Sequence, residues 1–262
     1  SLVLDDLGIY YDPTRTSRLE ELIRMRRLLR PDQKIRAERM LDALKQAGLS
    51  KYNVGKAALD SLPTGHRILV PGQVENDASI LSGTKTISTN LELLRAARNA
   101  HPDAILLYKP HPDVEAGLRV GKIEQAELDT LCNVVLNNVD PITAINAVDE
   151  VWTMTSLLGF EALVRGKSVT CHGAPFYAGW DLTTDLGAVP ARRSTQVSLE
   201  ALVHATLIDY PRYFDPITKA ACPPEVVIER LASGTLPNAS PFNRALSKLQ
   251  GFFAGHAHLW RR

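Results

Sequence analysis

The stretches Arg67-Ile-Leu-Val-Pro71 and Ala104-Ile-Leu-Leu-Tyr108, with Thr89-x-x-Glu92 between them, decide the fold. Each apolar run is short and flanked by turn-forming residues, which predicts a buried strand. Thr89-x-x-Glu92 is a capping box, because both side chains can accept hydrogen bonds from backbone N–H groups at the start of a helix. It predicts a helix that ends near Asn99. The three segments together predict one βαβ unit.

The same alternation of short strands and short helices continues to residue 171. The sequence predicts, in order, a strand at Val134–Leu136, a helix at Pro141–Val148, a strand at Val151–Met154, a helix at Leu157–Arg165 and a strand at Ser168–Cys171. This alternation is typical of a parallel sheet with helices on both faces. We therefore predict an α/β fold with a Rossmann-like parallel sheet and flanking helices.

The segments on either side of the sheet are predicted to be helical or irregular. Ser17-x-x-Glu20 is a second capping box, and another helix follows Pro31 and ends at Gly48. The apolar stripe of that second helix consists of Ile35, Leu41 and Leu44. Ser198 caps a further helix, residues 211–237 are irregular, and a last helix begins near Phe242. The predicted divisions are a helical connector at 1–60, the Rossmann-like domain at 61–215 and an extension at 216–262.

The composition is that of an ordinary globular protein, with 45% hydrophobic and 23% charged residues among 262. The balance of 30 basic against 29 acidic residues gives no sign of nucleic-acid binding. Cys132, Cys171 and Cys222 lack CxxC spacing, which favours neither a disulfide framework nor a zinc site. No apolar run approaches the ~20 residues of a membrane helix, and no basic-then-apolar leader opens the chain. We expect a cytoplasmic protein, which starts at Ser1 as though cut from a longer one.

Polar or glycine-bearing loops follow four of the predicted strands. They are residues 72–77, 109–112, 155–156 and 172–181. Ligands of open parallel sheets bind outside the carboxyl ends of the strands. The four loops are therefore predicted to converge on one site.

Hydroxyls and cations in two of these loops suit a phosphate. Thr155 and Ser156 precede a predicted helix, where free backbone N–H groups and the helix dipole favour an anion. Lys109 and His111 would place cationic donors beside the same phosphate and stabilise charge on a leaving group. The alternatives are an ordinary N-cap at Ser156 and a surface turn at 109–112.

Acidic and aromatic side chains stand in the other loops and in the helix at 157–165. Glu75 or Asp77 is placed to act as a base or as a nucleophile towards a sugar carbon, with a solvated turn as the alternative. Glu161 would bind a ribose if the nucleoside runs along its flank of the helix, and is otherwise an exposed helix glutamate. The fourth loop contains the aromatic residues Phe176, Tyr177 and Trp180. They suggest a wall for a base or sugar, or else the packing of the loop itself.

Four motifs together resemble the capsule polysaccharide synthesis family of β-Kdo transferases. They are Gly72-Gln-Val-Glu-Asn-Asp77, Tyr108-Lys-Pro-His-Pro112, Thr153-Met-Thr-Ser-Leu-Leu-Gly-Phe-Glu161 and Gly173-Ala-Pro-Phe-Tyr-Ala-Gly-Trp-Asp181. The likeness extends over most of the chain through Asp5–Asp12, Lys51–Gly55 and Tyr210–Asp215. The chain looks most like the second of the two transferase modules in the long capsule-initiating enzyme.

The resemblance implies retaining transfer of Kdo, an acidic eight-carbon sugar, in capsular polysaccharide biosynthesis. The donor would be CMP-β-Kdo, and the acceptor a lipid-linked oligo-Kdo chain at the cytoplasmic face of a Gram-negative inner membrane. The family's Gln-x-x-x-Asp motif falls on Gln73 and Asp77, with Asp77 implied as the nucleophile, and Glu75 stays a catalytic candidate on its position. The candidate donor-binding residues are Lys109, His111, Pro112, Thr155, Ser156, Glu161, Gly173 and Tyr177. No metal is expected, because no Asp-x-Asp motif appears and two of these residues supply cations.

The resemblance also implies the C-terminal donor-binding half of a GT-B-type glycosyltransferase, with 61–215 as the nucleotide-sugar domain. The acceptor half is expected to be missing, so the chain should bind CMP or CMP-Kdo but transfer poorly by itself. The alternatives are a transferase for another CMP-activated acidic sugar, such as sialic acid, and a non-catalytic donor-binding module of a capsule assembly complex. Phe252-Phe253 and Leu259–Arg262 suggest peripheral membrane contact, or else a plain packed helix.

Overall fold

A six-stranded parallel sheet is the centre of the computed structural model, which describes residues 1–48, 59 and 62–235. The strands of the described residues are β1 (Leu2–Val3), β2 (Arg67–Pro71), β3 (Ile105–Lys109), β4 (Val134–Val135), β5 (Glu150–Thr153), β6 (Ser168–Cys171), β7 (Thr184–Asp185), β8 (Pro211–Asp215) and β9 (Ala220–Cys222). The large sheet has the order β4-β3-β2-β5-β6-β7, and all its pairs are parallel. This is the Rossmann order, which reverses direction between β2 and β5. The predicted α/β fold is confirmed.

Short helices connect the strands. The helices of the described residues are α1 (Arg18–Met25), α2 (Pro31–Gln46), α3 (Ala78–Gly83), α4 (Asn90–Ala100), α5 (Pro112–Glu115), α6 (Gln125–Leu131), α7 (Pro141–Asn146), α8 (Leu157–Val164), α9 (Leu199–Val203), which runs into a π-helix (His204–Asp209), and α10 (Pro224–Ala232). None of them is long and apolar enough to span a membrane.

Alternate residues of each strand face two separate hydrophobic cores. Leu69 of β2 packs in one core with Leu107 and Val151, while Ile68 and Val70 pack in the other. Successive side chains of a strand point to opposite faces of a sheet, so both faces of β2 are covered. The first core includes residues of α1, α2, α7, α8 and α9, and the second includes residues of α3, α4 and α6.

The predicted helix signals hold at some positions and fail at others. Thr89 and Glu92 make both hydrogen bonds of the capping box at the start of α4. Gly48 has a φ of +57°, which suits the glycine that ends α2. The predicted stripe of α2 is wrong at Ile35, which is 48% exposed, whereas Ala37 is buried. The two residues are two positions apart, or about 200° around the helix, so they cannot share a face.

The terminal regions contain a small sheet that the sequence did not predict. Strand β8 pairs with β1 on one side and β9 on the other, both antiparallel. The helices predicted after Ser17 and Pro31 are present as α1 and α2, whereas the prediction of irregular structure at 211–237 is wrong over residues 211–235, which contain β8, β9 and α10. Asp215 is buried and accepts hydrogen bonds from Ile217 N, Thr218 Oγ1 and an Arg230 guanidinium N–H, so one carboxylate holds the turn after β8 and ties it to α10.

Other predictions about the terminal regions are not tested. The divisions at 1–60, 61–215 and 216–262 remain predictions. The Lys51–Gly55 motif, the helix from Phe242 and the two membrane-contact segments lie outside the described residues.

A charge cluster of the buried residues Glu20 and Arg193 and the partly exposed Arg192 joins the N-terminal segment to the domain. Glu20 accepts hydrogen bonds from the Nε atoms of Arg193 at 2.6 Å and Arg192 at 2.8 Å, instead of completing the capping box that Ser17 begins. Burial lowers the pKa of Arg193, and the Glu20 carboxylate opposes that shift. We call these three residues the Glu20 cluster.

Glu20→Gln should lower the free energy of unfolding by about 3 kcal/mol, because it leaves two arginines without their anion in the protein interior. Urea denaturation measures the change. Glu21→Gln is the matched control, since Glu21 pairs only with Arg24 on the surface of the same helix. Equal stability of the two variants would contradict the importance of the cluster.

Candidate functional site

A cavity of about 480 Å³ opens where the strand order reverses, between the loops that follow β2 and β5. This volume lies in the usual range for small-molecule sites. Most of the predicted site residues line it, namely Gln73, Asp77, Lys109, His111, Pro112, Thr155, Ser156 and Glu161. Residues of the first three predicted loops line the cavity, and the fourth loop contributes Pro175 and Phe176. The predicted convergence of the four loops is therefore confirmed.

The side-chain amide of Gln73 joins the two loops at the reversal point. Its Nε2 donates to Thr155 Oγ1 at 3.0 Å, and its Oε1 accepts from Thr153 Oγ1, Met154 N and Thr155 N at 3.1 to 3.2 Å. Asn90 bonds both the backbone N–H and the carbonyl of Gln73, each at 2.8 Å. Gln73 is buried, and these contacts fix its side chain between the two loops, which suits a residue that positions the site.

A chain of hydrogen bonds leads from Gln73 to the carboxylate of Asp77. The Thr155 hydroxyl donates to Ser79 Oγ at 3.2 Å, and the Ser79 hydroxyl donates to Asp77 Oδ1 at 2.7 Å. Ser79 N donates to the same oxygen at 2.9 Å, which makes Asp77 the N-cap of α3. The carboxylate is therefore held through Oδ1 at the cavity wall.

Lys109, the last residue of β3, and His111, just after the strand, place an ammonium group and an imidazole at one side of the cavity. Lys109 is buried, and burial lowers its pKa while Glu115 and Asp140 oppose the shift. His111 Nδ1 accepts a hydrogen bond from Asp113 N at 3.2 Å. A neutral His111 must then carry its proton on Nε2, which leaves that atom as an N–H donor. Both residues suit an anionic group.

Ser156 is the N-cap of α8 and also lines the cavity. Its Oγ accepts from Leu158 N at 3.2 Å, so it is the N-cap of α8. The same helix start, including Leu157 and Leu158, lines the cavity. A helix N-terminus that opens into a cavity favours an anion there, in line with the cations on the opposite loop.

Three of the predicted site residues lie outside the cavity. Glu75 accepts a hydrogen bond from Asn90 N at 2.8 Å and fixes the start of α4 instead of facing the cavity. Gly173 is a close-packed glycine, because a Cβ there would lie 2.8 Å from Gly83 O and Met154 O. Tyr177 is fully buried and donates to Ser156 O at 2.5 Å, so it supports the start of α8 from behind the cavity wall.

The predicted aromatic wall is therefore corrected. Trp180, like Tyr177, is fully buried, and its Nε1 donates to Phe176 O. Of the three aromatic residues, only Phe176 lines the cavity. Aromatic residues among glycines do not distinguish a ligand wall from a packed loop, and here the loop packs inward.

Sequence reasoning missed Tyr10, Tyr11 and Arg119, which also line the cavity. Arg119 donates to Asn76 Oδ1 at 3.0 Å, next to Asp77 in the chain. None of these residues follows directly after a predicted strand, so the strand-end rule could not select them. The only signal was the resemblance of Asp5–Asp12 to the capsule family, which includes both tyrosines.

Metal binding has no support from clusters of potential ligands. The described part of the chain contains no group of three or more His, Cys, Asp or Glu side chains that could hold a metal ion. The expectation that the site works without a metal stays a prediction.

The amino-acid sequence is similar to proteins of capsule polysaccharide biosynthesis and modification. A family model described as "Capsule polysaccharide biosynthesis protein" matches residues 45–213. "Capsule polysaccharide modification protein LipA" of Neisseria meningitidis serogroup B is 44% identical over 233 residues, which are 88% of this chain and 33% of LipA. "Lipopolysaccharide-processing protein LpsZ" of Rhizobium meliloti is 44% identical over 217 residues, 81% of this chain and 49% of LpsZ. The chain thus spans a third to a half of these curated relatives.

Two solved structures are similar over most of the chain. "Thermosulfurimonas dismutans KpsC, beta Kdo 2,7 transferase" has a TM-score of 0.75 at 39% identity, covering 89% of this chain and 72% of that one. The corresponding "beta Kdo 2,4 transferase" has a TM-score of 0.79 at 34% identity, covering 88% and 72%. The six-stranded α/β fold matches these transferase structures.

Gln73→Met should lower the free energy of unfolding by about 2 kcal/mol, because buried polar groups of the β5 loop lose their partner. The Gln125→Met variant is the control, since Gln125 only bonds Asp129 on the surface of α6. Thermal or urea unfolding measures both. If Gln73→Met is no less stable than the control, Gln73 does not hold the two loops together.

Proposed function

The chain belongs to the capsule polysaccharide biosynthesis family, and from that membership we propose that it is a glycosyltransferase that transfers Kdo from CMP-β-Kdo with retention. The family resemblance seen in the motifs is confirmed by the comparisons. One observation carries the proposal: a single cavity at the strand reversal holds the oriented carboxylate of Asp77 together with Lys109, His111 and the start of α8. A nucleophile and a phosphate site in one cavity suit transfer from a sugar phosphate.

The phosphate of the donor would lie among Lys109, the Nε2 of His111 and the backbone N–H groups at the start of α8. These groups stabilise the negative charge that develops on CMP as the glycosidic bond to phosphate breaks. Glu161 lines the cavity along α8 and is a candidate for the ribose. These groups would stabilise CMP as the leaving group without a metal ion. That the reaction needs no metal is part of the proposal.

Asp77 would act as the nucleophile of a double displacement. Its carboxylate attacks the anomeric carbon, the bond to the CMP phosphate breaks, and CMP leaves with the electron pair. A hydroxyl of the acceptor then attacks the same carbon, the bond from that carbon to Asp77 breaks with its electron pair returning to the carboxylate, and the hydroxyl proton passes to water. Two inversions at one carbon give overall retention. The bonds from Ser79 to Oδ1 support this role, because they fix the orientation of the carboxylate at the cavity wall.

The acceptor would be a lipid-linked oligo-Kdo chain at the inner membrane. The protein would contact this membrane peripherally, together with capsule assembly proteins. Because the chain spans only a third of LipA, acceptor binding and activity of the chain alone are part of the proposal. The relatives' names support capsule glycan synthesis or modification.

Asp77→Asn should reduce transfer by about a thousandfold or more while CMP affinity stays within twofold, because the nucleophile is lost and the phosphate site is kept. Asp113→Asn is the matched control, an acidic residue in the same cavity. Radiolabelled Kdo transfer measures activity, and calorimetry measures CMP binding. Transfer that survives Asp77→Asn would contradict the mechanism and favour a non-catalytic donor-binding module.

CMP affinity should fall at alkaline pH as Lys109 loses its proton. The lowered pKa means that the cation is present below that pKa and is lost as pH rises through it, before the ordinary value of 10.5. Lys109→Arg should keep the affinity to higher pH, since an arginine stays charged. Calorimetric titration with CMP from pH 7 to 10 compares the two proteins. An identical pH profile would exclude Lys109 as the titrating phosphate ligand.

A further inference from the structure

Two exposed tyrosines of the N-terminal segment line the cavity but have no part in the donor chemistry above. Tyr10 and Tyr11 are each 37% exposed and line the cavity with Phe176. The ring of Tyr10 lies edge-on to Tyr11 and to Phe176, with ring centroids 5.5 and 5.9 Å apart. We call these three residues the aromatic face. Edge-on packing fixes ring positions, so the face is a preformed apolar surface.

The Glu20 cluster forms hydrogen bonds to both chain segments that build the aromatic face. Arg192 donates to Pro13 O and Arg15 O, each at 2.7 Å, in the segment that follows the two tyrosines. Arg193 donates to Pro175 O at 2.5 Å, immediately before Phe176. The same buried carboxylate thus orders the two chain segments that build the face.

The aromatic face lies beside the helix that Asp77 caps. Tyr11 O lies 3.3 Å from Ser82 Oγ, whose hydroxyl donates to Ala78 O at 2.6 Å. Ser82 lies on α3, five residues after Asp77, or about 7.5 Å along the helix axis. If the phosphate lies among Lys109, His111 and the start of α8, the transferred sugar lies between the phosphate and Asp77. The face therefore borders the sugar end of the cavity.

We propose that the aromatic face is a subsite for a sugar ring of the acceptor, with Tyr11 as its main contact; this inference rests on the proposed transfer function. The C–H groups on one side of a pyranose carry a small positive charge, and the face of an aromatic ring is negative. Stacking on Tyr11 would hold the terminal acceptor sugar beside the anomeric carbon that Asp77 attacks. The N-terminal segment of this chain then supplies part of the acceptor site.

Binding of a Kdo disaccharide, with CMP present, tests the proposal on the whole chain. Tyr11→Leu removes the ring but keeps an apolar side chain, and it should weaken disaccharide binding about tenfold while CMP affinity stays within twofold. Tyr11→Phe is the matched control, because it keeps the ring, and should bind the disaccharide like the wild type. NMR titration measures both ligands, and circular dichroism confirms that each variant is folded. Tyr10→Leu gives a second, independent variant of the same face.

The possible results separate this inference from the proposed function. If Tyr11→Leu weakens CMP as much as the disaccharide, the face contacts the nucleoside and the inference is wrong. It is also wrong if the variants change neither affinity, or if the wild-type chain binds CMP but no disaccharide; the proposed function survives these results. A wild-type chain that binds no CMP would overturn the proposed function itself.

Discussion

The bridge between the side-chain amide of Gln73 and the loop after β5 is the interaction on which the site depends. A Rossmann sheet leaves a crevice between the two strands where its order reverses, and the loops on each side diverge towards opposite faces. Gln73 closes part of this crevice with one donor and one acceptor, and Asn90 fixes its backbone. Through Thr155 and Ser79, the same network reaches the carboxylate of Asp77.

Fixed groups of opposite charge in one cavity explain how this geometry would work. Lys109 and His111 sit on the β3 side, and Asp77 caps the helix after β2. Charges that are already in place do not have to reorganise when the transition state forms. The charges of the Glu20 cluster are also fixed in place. Their hydrogen bonds order two segments that lie far apart in sequence and that contribute residues to the outer wall of the cavity.

The sequence predicted the parts of the fold that depend on local patterns. Short apolar runs predicted β2, β3, β5 and β6, and the strand-end rule selected the loops of Asp77, Lys109 and Ser156. Prediction from the sequence failed where contacts between residues distant in the chain determine the structure. Glu20 was predicted to cap its own helix, but two distant arginines bind it. Tyr177 and Tyr11 are both loop tyrosines, and only tertiary packing makes one buried and the other a cavity residue.

A crystal structure of the chain with an unreactive CMP-Kdo analogue tests the central claim most directly. The account predicts that the phosphate lies within about 3 Å of Lys109 Nζ and His111 Nε2, at the start of α8. It also predicts that Asp77 Oδ2 lies about 3 to 3.5 Å from the anomeric carbon. An analogue bound with its phosphate elsewhere, or with its anomeric carbon beyond the reach of Asp77, would contradict the account.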